Sequence, residues 1–221
     1  MRQESDDRSF LFIVTHGRSG STLLQGVLNS IPGFTICGEN MDACQYLYRF
    51  YDKWYNSIKN YHGNNMPVDS RNSWYQCADF DLLKISCRNL LWNLCACHDT
   101  RVAGFKEIRW KSHYHSGDLD RYLFWFFQVF NPRFIHLTRD MDETCNSKWF
   151  KGKDVRQDLE GFNYDVSNFF GRYGYIDSFH LDLGRLHDGV SPERFRLLFD
   201  WLGEEYVESD IQKVLDVRWG Y

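Results

Sequence analysis

The sequence predicts an α/β fold, a three-layer arrangement in which helices flank a central parallel sheet on both faces. Short apolar runs rich in β-branched and aromatic residues alternate with longer helical patterns, the signature of strands joined by crossover helices. The stretch Phe10–Leu24, FLFIVTHGRSGSTLL, passes from a buried strand through a glycine-bearing loop into a helix. The chain of 221 residues is 43% apolar and 18% aromatic, enough for a substantial core within one domain spanning residues 1–221.

The elements follow in order. Residues 1–9 are a polar, flexible lead-in, and the first strand covers about 10–15. The first helix lies near 21–30, with Leu23, Leu24, Val27 and Leu28 on one face, and Ile31-Pro32-Gly33 breaks it. Phe34–Cys37 is a short second strand ending at Gly38-Glu39-Asn40. Residues 41–60 form an aromatic-rich helix, 61–76 a loop, and 79–96 a leucine-rich helix. Val102–Ile108 is the third strand. Leu119–Val129 is a buried helix stopped by Asn131-Pro132, and Phe134–Leu137 is the fourth strand, followed by a helix through about Phe150. Residues 151–175, polar and rich in Gly and Asn, read as a mobile loop with a short helix. Phe179–Leu183 is the last strand, and a helix opens at Ser191-Pro192-Glu193, with Pro at its first position, and closes at Gly203.

Composition excludes several classes. A net charge of −4 argues against a broad nucleic-acid surface. No apolar run approaches the length of a membrane span, and the polar N-terminal segment lacks the pattern of a signal peptide. The seven cysteines form no regular framework, so buried thiols in a reducing, cytoplasmic setting are expected. Cys95-x-Cys97-His98 has no second pair at zinc-ligand spacing, and no metal is assigned there.

The loop after the first strand carries the chemistry. Gly17 and Gly20 let the backbone approach a ligand closely, and Arg18, Ser19, Ser21 and Thr22 add donors beside the amides of a helix start, a setting that suits phosphate or sulfate. The loop is P-loop-like, yet no lysine precedes Ser21 as a Walker A loop requires, so metal-assisted γ-phosphate transfer is disfavoured. The plain alternative is a Gly-Ser turn beside an exposed arginine. In parallel sheets ligands bind beyond the carboxyl ends of strands. Arg18, Glu39, Lys106 with Arg109, and Arg139 all stand at such ends.

On these residues the chain resembles the sulfotransferases that use 3′-phosphoadenosine 5′-phosphosulfate (PAPS), nearest to the carbohydrate and tyrosyl-protein branch. Arg18–Leu24 resembles the family's 5′-phosphosulfate loop. Phe134–Ser147, FIHLTRDMDETCNS, resembles its 3′-phosphate motif, with Ser147 eight residues after Arg139, and Phe195–Gly203 is similar to its C-terminal helix. The resemblance implies a P-loop-like three-layer fold and PAPS as sulfuryl donor, with 3′-phosphoadenosine 5′-phosphate as product and no metal required. It places Gly17, Arg18, Ser19, Gly20, Ser21 and Thr22 on the phosphosulfate and Arg139 and Ser147 on the 3′-phosphate. Lys151, twelve residues after Arg139, is a further phosphate contact, with an exposed lysine as the alternative. By the same resemblance Arg18 and Lys106 fall to the sulfonate and bridging oxygen, with a surface lysine as the alternative for Lys106.

Glu39 is the candidate base, where the tyrosyl-protein branch carries a glutamate; that branch has two in succession, and the second falls on Asn40. A cap at a helix start is the other role open to Glu39. Glu107 and Asp42 are weaker alternatives, and strand alternation sets Lys106 and Glu107 on opposite faces. His113 and His115 are read first as exposed loop histidines and second as bases. The aromatic residues of 46–55 and Trp74-Tyr75 supply core packing and one or two walls of an acceptor pocket. Many members of the family carry a basic loop near the C-terminus that covers the nucleotide; here Arg218 or the 151–175 segment takes that task, or the lid is reduced. The implied acceptor is a sugar, glycolipid or small-metabolite hydroxyl. A kinase-like phosphotransferase and a non-catalytic 3′-phosphonucleotide-binding module are the competing readings.

Overall fold

The structure, a computed structural model, describes residues 8–62 and 80–217. Among these residues five strands form one all-parallel sheet: β1 (Ser9–Val14), β2 (Phe34–Cys37), β3 (Val102–Glu107), β4 (Arg133–Thr138) and β5 (Ser178–Asp182), in the order β2-β3-β1-β4-β5. The helices are α1 (Ser21–Asn29), α2 (Cys44–His62), α3 (Phe80–Cys95), α4 (Trp110–His115), α5 (Leu119–Phe130), α6 (Met141–Asn146), α7 (Arg156–Arg172), α8 (Arg196–Leu202) and α9 (Glu208–Leu215). A single 3₁₀ turn, Pro192–Phe195, leads into α8, which ends at Gly203 in the left-handed region, as its sequence suggests.

The period-two alternation of β1 divides the core in two. Phe10, Phe12 and Val14 face one layer with Phe105 and Phe134, covered by α2, α3, α5 and α7. Leu11 and Ile13 face the other with Ile135, Leu137 and Leu181, covered by α1, α8 and α9. Both faces of β1 are thus dry, which is why it reads as an unbroken apolar run. Phe12 sits at the centre of the aromatic layer, 4.7 Å from the Phe105 ring and 4.9 Å from Phe126. Burying such a ring stabilises the fold by roughly 1.5–3 kcal/mol.

Three expectations are corrected. Residues 151–175 are not a mobile loop with a short helix. They carry the 17-residue α7, whose buried Leu159, Phe162, Val166 and Phe169 recur at helical spacing among polar neighbours. The stretch after β3 is the helix α4, so His113 is a buried helical residue rather than an exposed loop one. The aromatic helix starts at Cys44, because Met41 and Asp42 take positive φ of 59° and 58°. The helix α9 has no counterpart in the expectation. The expected loop at 61–76 with Trp74-Tyr75, the first seven residues and Arg218 lie outside the described residues or, for 61–62, in the end of α2.

Two outcomes follow from the packing. A Cβ on Gly104 would stand 1.7 Å from the Leu11 carbonyl oxygen across the β1–β3 pair. Gly104→Ala is expected to lower stability by about 3 kcal/mol, the upper end of overpacking costs, read from chemical unfolding. An unchanged midpoint would show that the strands separate freely there.

The second concerns His136, buried on β4 beside Ser167 of α7, its ring stacked 5.0 Å from that of His180 at 27°. Burial, helped by His180, pushes its imidazole down to about 3, and burial shifts His16 in the same direction. The unfolded chain therefore takes up protons that the folded chain refuses. Stability is complete above pH 6.5 and falls as pH drops below it, by about 1.4 kcal/mol per pH unit for one such group. Urea unfolding of the parent and His136→Phe between pH 6.5 and 5 tests this: the variant should show the shallower decline, and equal slopes would contradict it.

Candidate active site

The site forms where β1, β3 and β4 end side by side. Beyond Val14, the Thr15 hydroxyl donates to the Leu137 carbonyl at 2.8 Å, clamping the end of β1 to β4. His16 Nδ1 lies 2.9 Å from the Gly17 carbonyl, which can only accept, so Nδ1 carries the proton. The loop then turns through two left-handed residues, Arg18 (φ 66°) and Gly20 (φ 87°), and α1 begins at Ser21 with no side-chain cap. The first amides of α1 have no carbonyl partner within the helix and carry its positive end.

Two cavities open on this loop. The first, about 240 Å³, is lined by Gly17, Arg18, Gly20, Ser21, Thr22, Glu39, Lys106, Ile108, Arg139 and Trp149. Lys106 is 9% exposed, and its Nζ donates to Thr22 Oγ1 at 3.2 Å and to Glu39 Oε1 at 3.1 Å. Arg109 reaches the other carboxylate oxygen of Glu39 at 3.3 Å. The base candidate is thus gripped by two cations at the mouth of the glycine loop.

The second cavity, about 490 Å³, shares Arg18 and Arg139 with the first and adds Ser147, Lys148, Arg185 and His187 among its walls. Arg139 donates from Nη1 to the Arg18 carbonyl at 3.0 Å and from Nε to Glu143 Oε2 at 3.1 Å, with a second bond from Nη2 to the same oxygen. Burial opposes the charge on Glu143, but Arg139 and the amides of His187 and Leu186 outweigh it and hold the carboxyl below its ordinary range. Asp140 and Asp142 also line this cavity, yet their charge is engaged: Asp140 caps α6 through the Glu143 amide and meets Arg185, and Asp142 pairs with Arg156. The buried hydroxyls of Ser19 and Ser147 have no hydrogen-bond partner among the described residues. A buried donor left unbonded is costly, and Ser147 stands at the cavity wall where an anion oxygen would satisfy it.

The structure therefore brings together Gly17, Arg18, Gly20, Ser21, Thr22, Glu39 and Lys106, and sets Arg139 and Ser147 beside them. Ser19 is buried beneath the loop. Lys151 is exposed and lines neither cavity; Lys148 lines the second instead. Of the other base candidates, Glu107 and Asp42 are buried and bonded within the protein. Asp42 receives His113 Nε2 at 3.1 Å and the Tyr122 hydroxyl at 3.2 Å. His115 lies on α4, half exposed. Of the aromatic residues 46–55, Tyr48 and Tyr51 pack in the core, and Tyr46, Phe50, Trp54 and Tyr55 are exposed on α2 rather than lining these two cavities.

Sequence reasoning missed Trp149, Glu143, Arg185 and His187 and gave Arg109 no role. Glu143 alone carried a local signal, four residues after Arg139 at the spacing of helical ion pairs. Among the described residues no cluster of three or more His, Cys, Asp or Glu could hold a metal ion, and no helix is long and apolar enough to cross a membrane.

Gly20 provides a test of the loop. A Cβ there would meet Leu183 at 2.6 Å in a conformation that side-chain-bearing residues rarely adopt. Gly20→Ala is expected to cost about 1–3 kcal/mol, seen as a lower melting temperature. Unaltered melting would mean the turn relaxes without strain.

The family model described as Sulfotransfer_3, Sulfotransferase family, matches residues 11–195, from β1 through the 3₁₀ turn. The match spans most of the chain, and the chain belongs to the sulfotransferase family. No curated protein matches it.

Proposed function

We propose that this member of the sulfotransferase family moves a sulfuryl group from PAPS to an acceptor hydroxyl on a sugar, glycolipid or small metabolite, in the cytoplasm and without a metal. The observation that carries this reading is the pair of cavities meeting at Arg18 and Arg139. One holds a lysine and a carboxylate, and the other an unpartnered serine hydroxyl. A donor with two separated anionic groups needs two such sites on one sheet edge. The residues fit it: the uncapped start of α1 with Arg18, Ser21 and Thr22 suits a phosphosulfate. Arg139 and Ser147 suit a 3′-phosphate, the arginine through its fixed fork of donors.

PAPS bound there supplies the sulfuryl group and leaves as 3′-phosphoadenosine 5′-phosphate. The protein's share is positioning and charge. Arg18 and Lys106 neutralise the sulfonate and the bridging oxygen, where negative charge grows as the S–O bond breaks. Glu39 Oε1 is bonded to Lys106; transfer of Nζ from that oxygen to the incoming anion frees it to take the proton of the acceptor hydroxyl. Arg109 stays on Oε2 and keeps the carboxylate aimed. Trp149 and Ile108 give this cavity an apolar side.

The test is calorimetric binding of 3′-phosphoadenosine 5′-phosphate beside AMP and ATP, without metal. The bisphosphate is expected to bind at least tenfold more tightly than either, and Arg139→Ala to remove that preference. Equal binding, or a preference for ATP with Mg²⁺, would overturn the reading in favour of a kinase-like enzyme. In turnover assays, Lys106→Ala and Glu39→Gln should each lower kcat by about a hundredfold or more, the scale of losing one transition-state contact. A chelator should leave the rate unchanged. Bisphosphate binding without turnover on any hydroxyl acceptor would mark a binding module instead.

A further inference from the structure

Glu107 follows Lys106 in β3 and faces away from the anion cavity. The residue is 2% exposed. Its carboxylate is nevertheless fully engaged, because four backbone amides converge on it. Oε2 accepts from Asn40 at 3.2 Å and Asp42 at 3.0 Å, and Oε1 accepts from Ile108 at 2.8 Å and Arg109 at 3.0 Å. The Arg109 guanidinium lies 3.5 Å from Oε1 while also holding Glu39. One buried carboxylate thus joins the loop after β2, which carries Glu39, to the turn after β3, which carries Arg109.

The loop needs such a tie. Met41 and Asp42 both adopt left-handed backbone that residues with side chains seldom take, and such turns persist only where their surroundings over-determine them. The Glu107 bonds to Asn40 and Asp42 fix it from inside. The Asp42 side chain anchors it a second time through His113, Tyr122 and Ser112, at 3.1, 3.2 and 3.4 Å. Bonds from amides to an ionised carboxylate are stronger than neutral ones, so the charge of Glu107 matters as well as its shape.

We propose that Glu107 is a positioning residue: it locks residues 39–42 so that Glu39 stands between Lys106 and Arg109. The inference rests on Glu39 being the base, and goes beyond it in assigning what aims that base. Lys106 and Glu107 then divide one strand end, the first serving the ligand and the second the loop.

A double-mutant cycle tests it, with kcat, bisphosphate affinity and melting measured for Glu39→Gln, Glu107→Gln and the pair. A glutamine at 107 turns an NH₂ group on two of the amides and releases one segment. Glu107→Gln should lower kcat by about ten- to a hundredfold, the cost of an ångström-scale misplacement, with bisphosphate affinity unchanged within about twofold. In the Glu39→Gln background the same change should lower kcat less than about threefold, because the base it aims is gone. If Glu107→Gln fails to fold, Glu107→Asp serves: it keeps the charge and its near partners Ile108 and Arg109 but is one methylene too short to hold Asn40 and Asp42. Losses that multiply in the double variant, or an unaffected kcat in a folded Glu107 variant, overturn the inference and leave Glu39 as the base. Full turnover of Glu39→Gln alone removes the base itself, and the inference with it.

Discussion

The guanidinium of Arg139 is the joint on which the candidate site depends. It bonds the carbonyl of Arg18, so the left-handed turn of the anion loop is held from outside by the end of β4. It also bonds Glu143, whose carboxylate receives the amides of Leu186 and His187. Four segments therefore meet on one ion pair whose side chains are only 5% and 11% exposed. Such a pair is expensive to desolvate, and its further bonds to the Arg18 carbonyl and to the Leu186 and His187 amides are what make it tolerable. An arginine has five N–H donors. Three are used within the protein among the described residues, which leaves two on a residue that lines both cavities. The pairing with Glu143 consequently leaves donors for the anion proposed there and fixes the plane in which they lie.

The sheet decides what reaches this joint. Because β1 is central, its loop opens between the ends of β3 and β4, and the register sets Lys106 opposite Ile13 on one side and Ile135 opposite it on the other. Period-two alternation then separates neighbouring residues by task. Lys106 enters the cavity and bonds Thr22 and Glu39, while Glu107 turns to the amides of the adjoining loops. Two ionisable residues in sequence would repel or pair with each other if they shared a face. On opposite faces each is compensated by different partners.

Local patterns carried most of the architecture. The apolar run of β1, the glycine loop and the strand-end charges are short-range signals, and they located the five strands and the loop residues to within one or two positions. The misreadings share a cause. In α7 the buried stripe Leu159, Phe162, Val166 and Phe169 is diluted by Gly161, Asn163 and Asn168, so composition masked a period that packing against β4 enforces. His113 reads as exposed from the sequence because its partner, Asp42, lies 71 residues away. The tie from Glu107 to the Glu39 loop spans 65 and 67 residues, and nothing within either segment announces it. The pair Arg139–Glu143, four residues apart, is the one of these contacts that local spacing does signal. Sequence periodicity reports which face of an element is dry; it does not report which polar groups a fold will bring together across the sheet.

The missing loop lysine shows how far that distinction reaches. A Walker A loop carries its cation in the residue before the serine or threonine, whereas here Gly20-Ser21-Thr22 has none. The structure delivers a cation to the same helix start from β3, with Lys106 Nζ 3.2 Å from Thr22 Oγ1. A lysine within the loop would be fixed to the phosphate site alone. One arriving from the neighbouring strand is shared with Glu39, so the charge proposed to receive an anion is also the charge that holds the carboxylate. In the proposed mechanism a bound anion draws the Lys106 ammonium away from Glu39, so anion entry and release of the carboxylate are linked. On that reading readiness to accept a proton is tied to occupancy of the glycine loop, through one side chain whose position follows from the β1–β3 register.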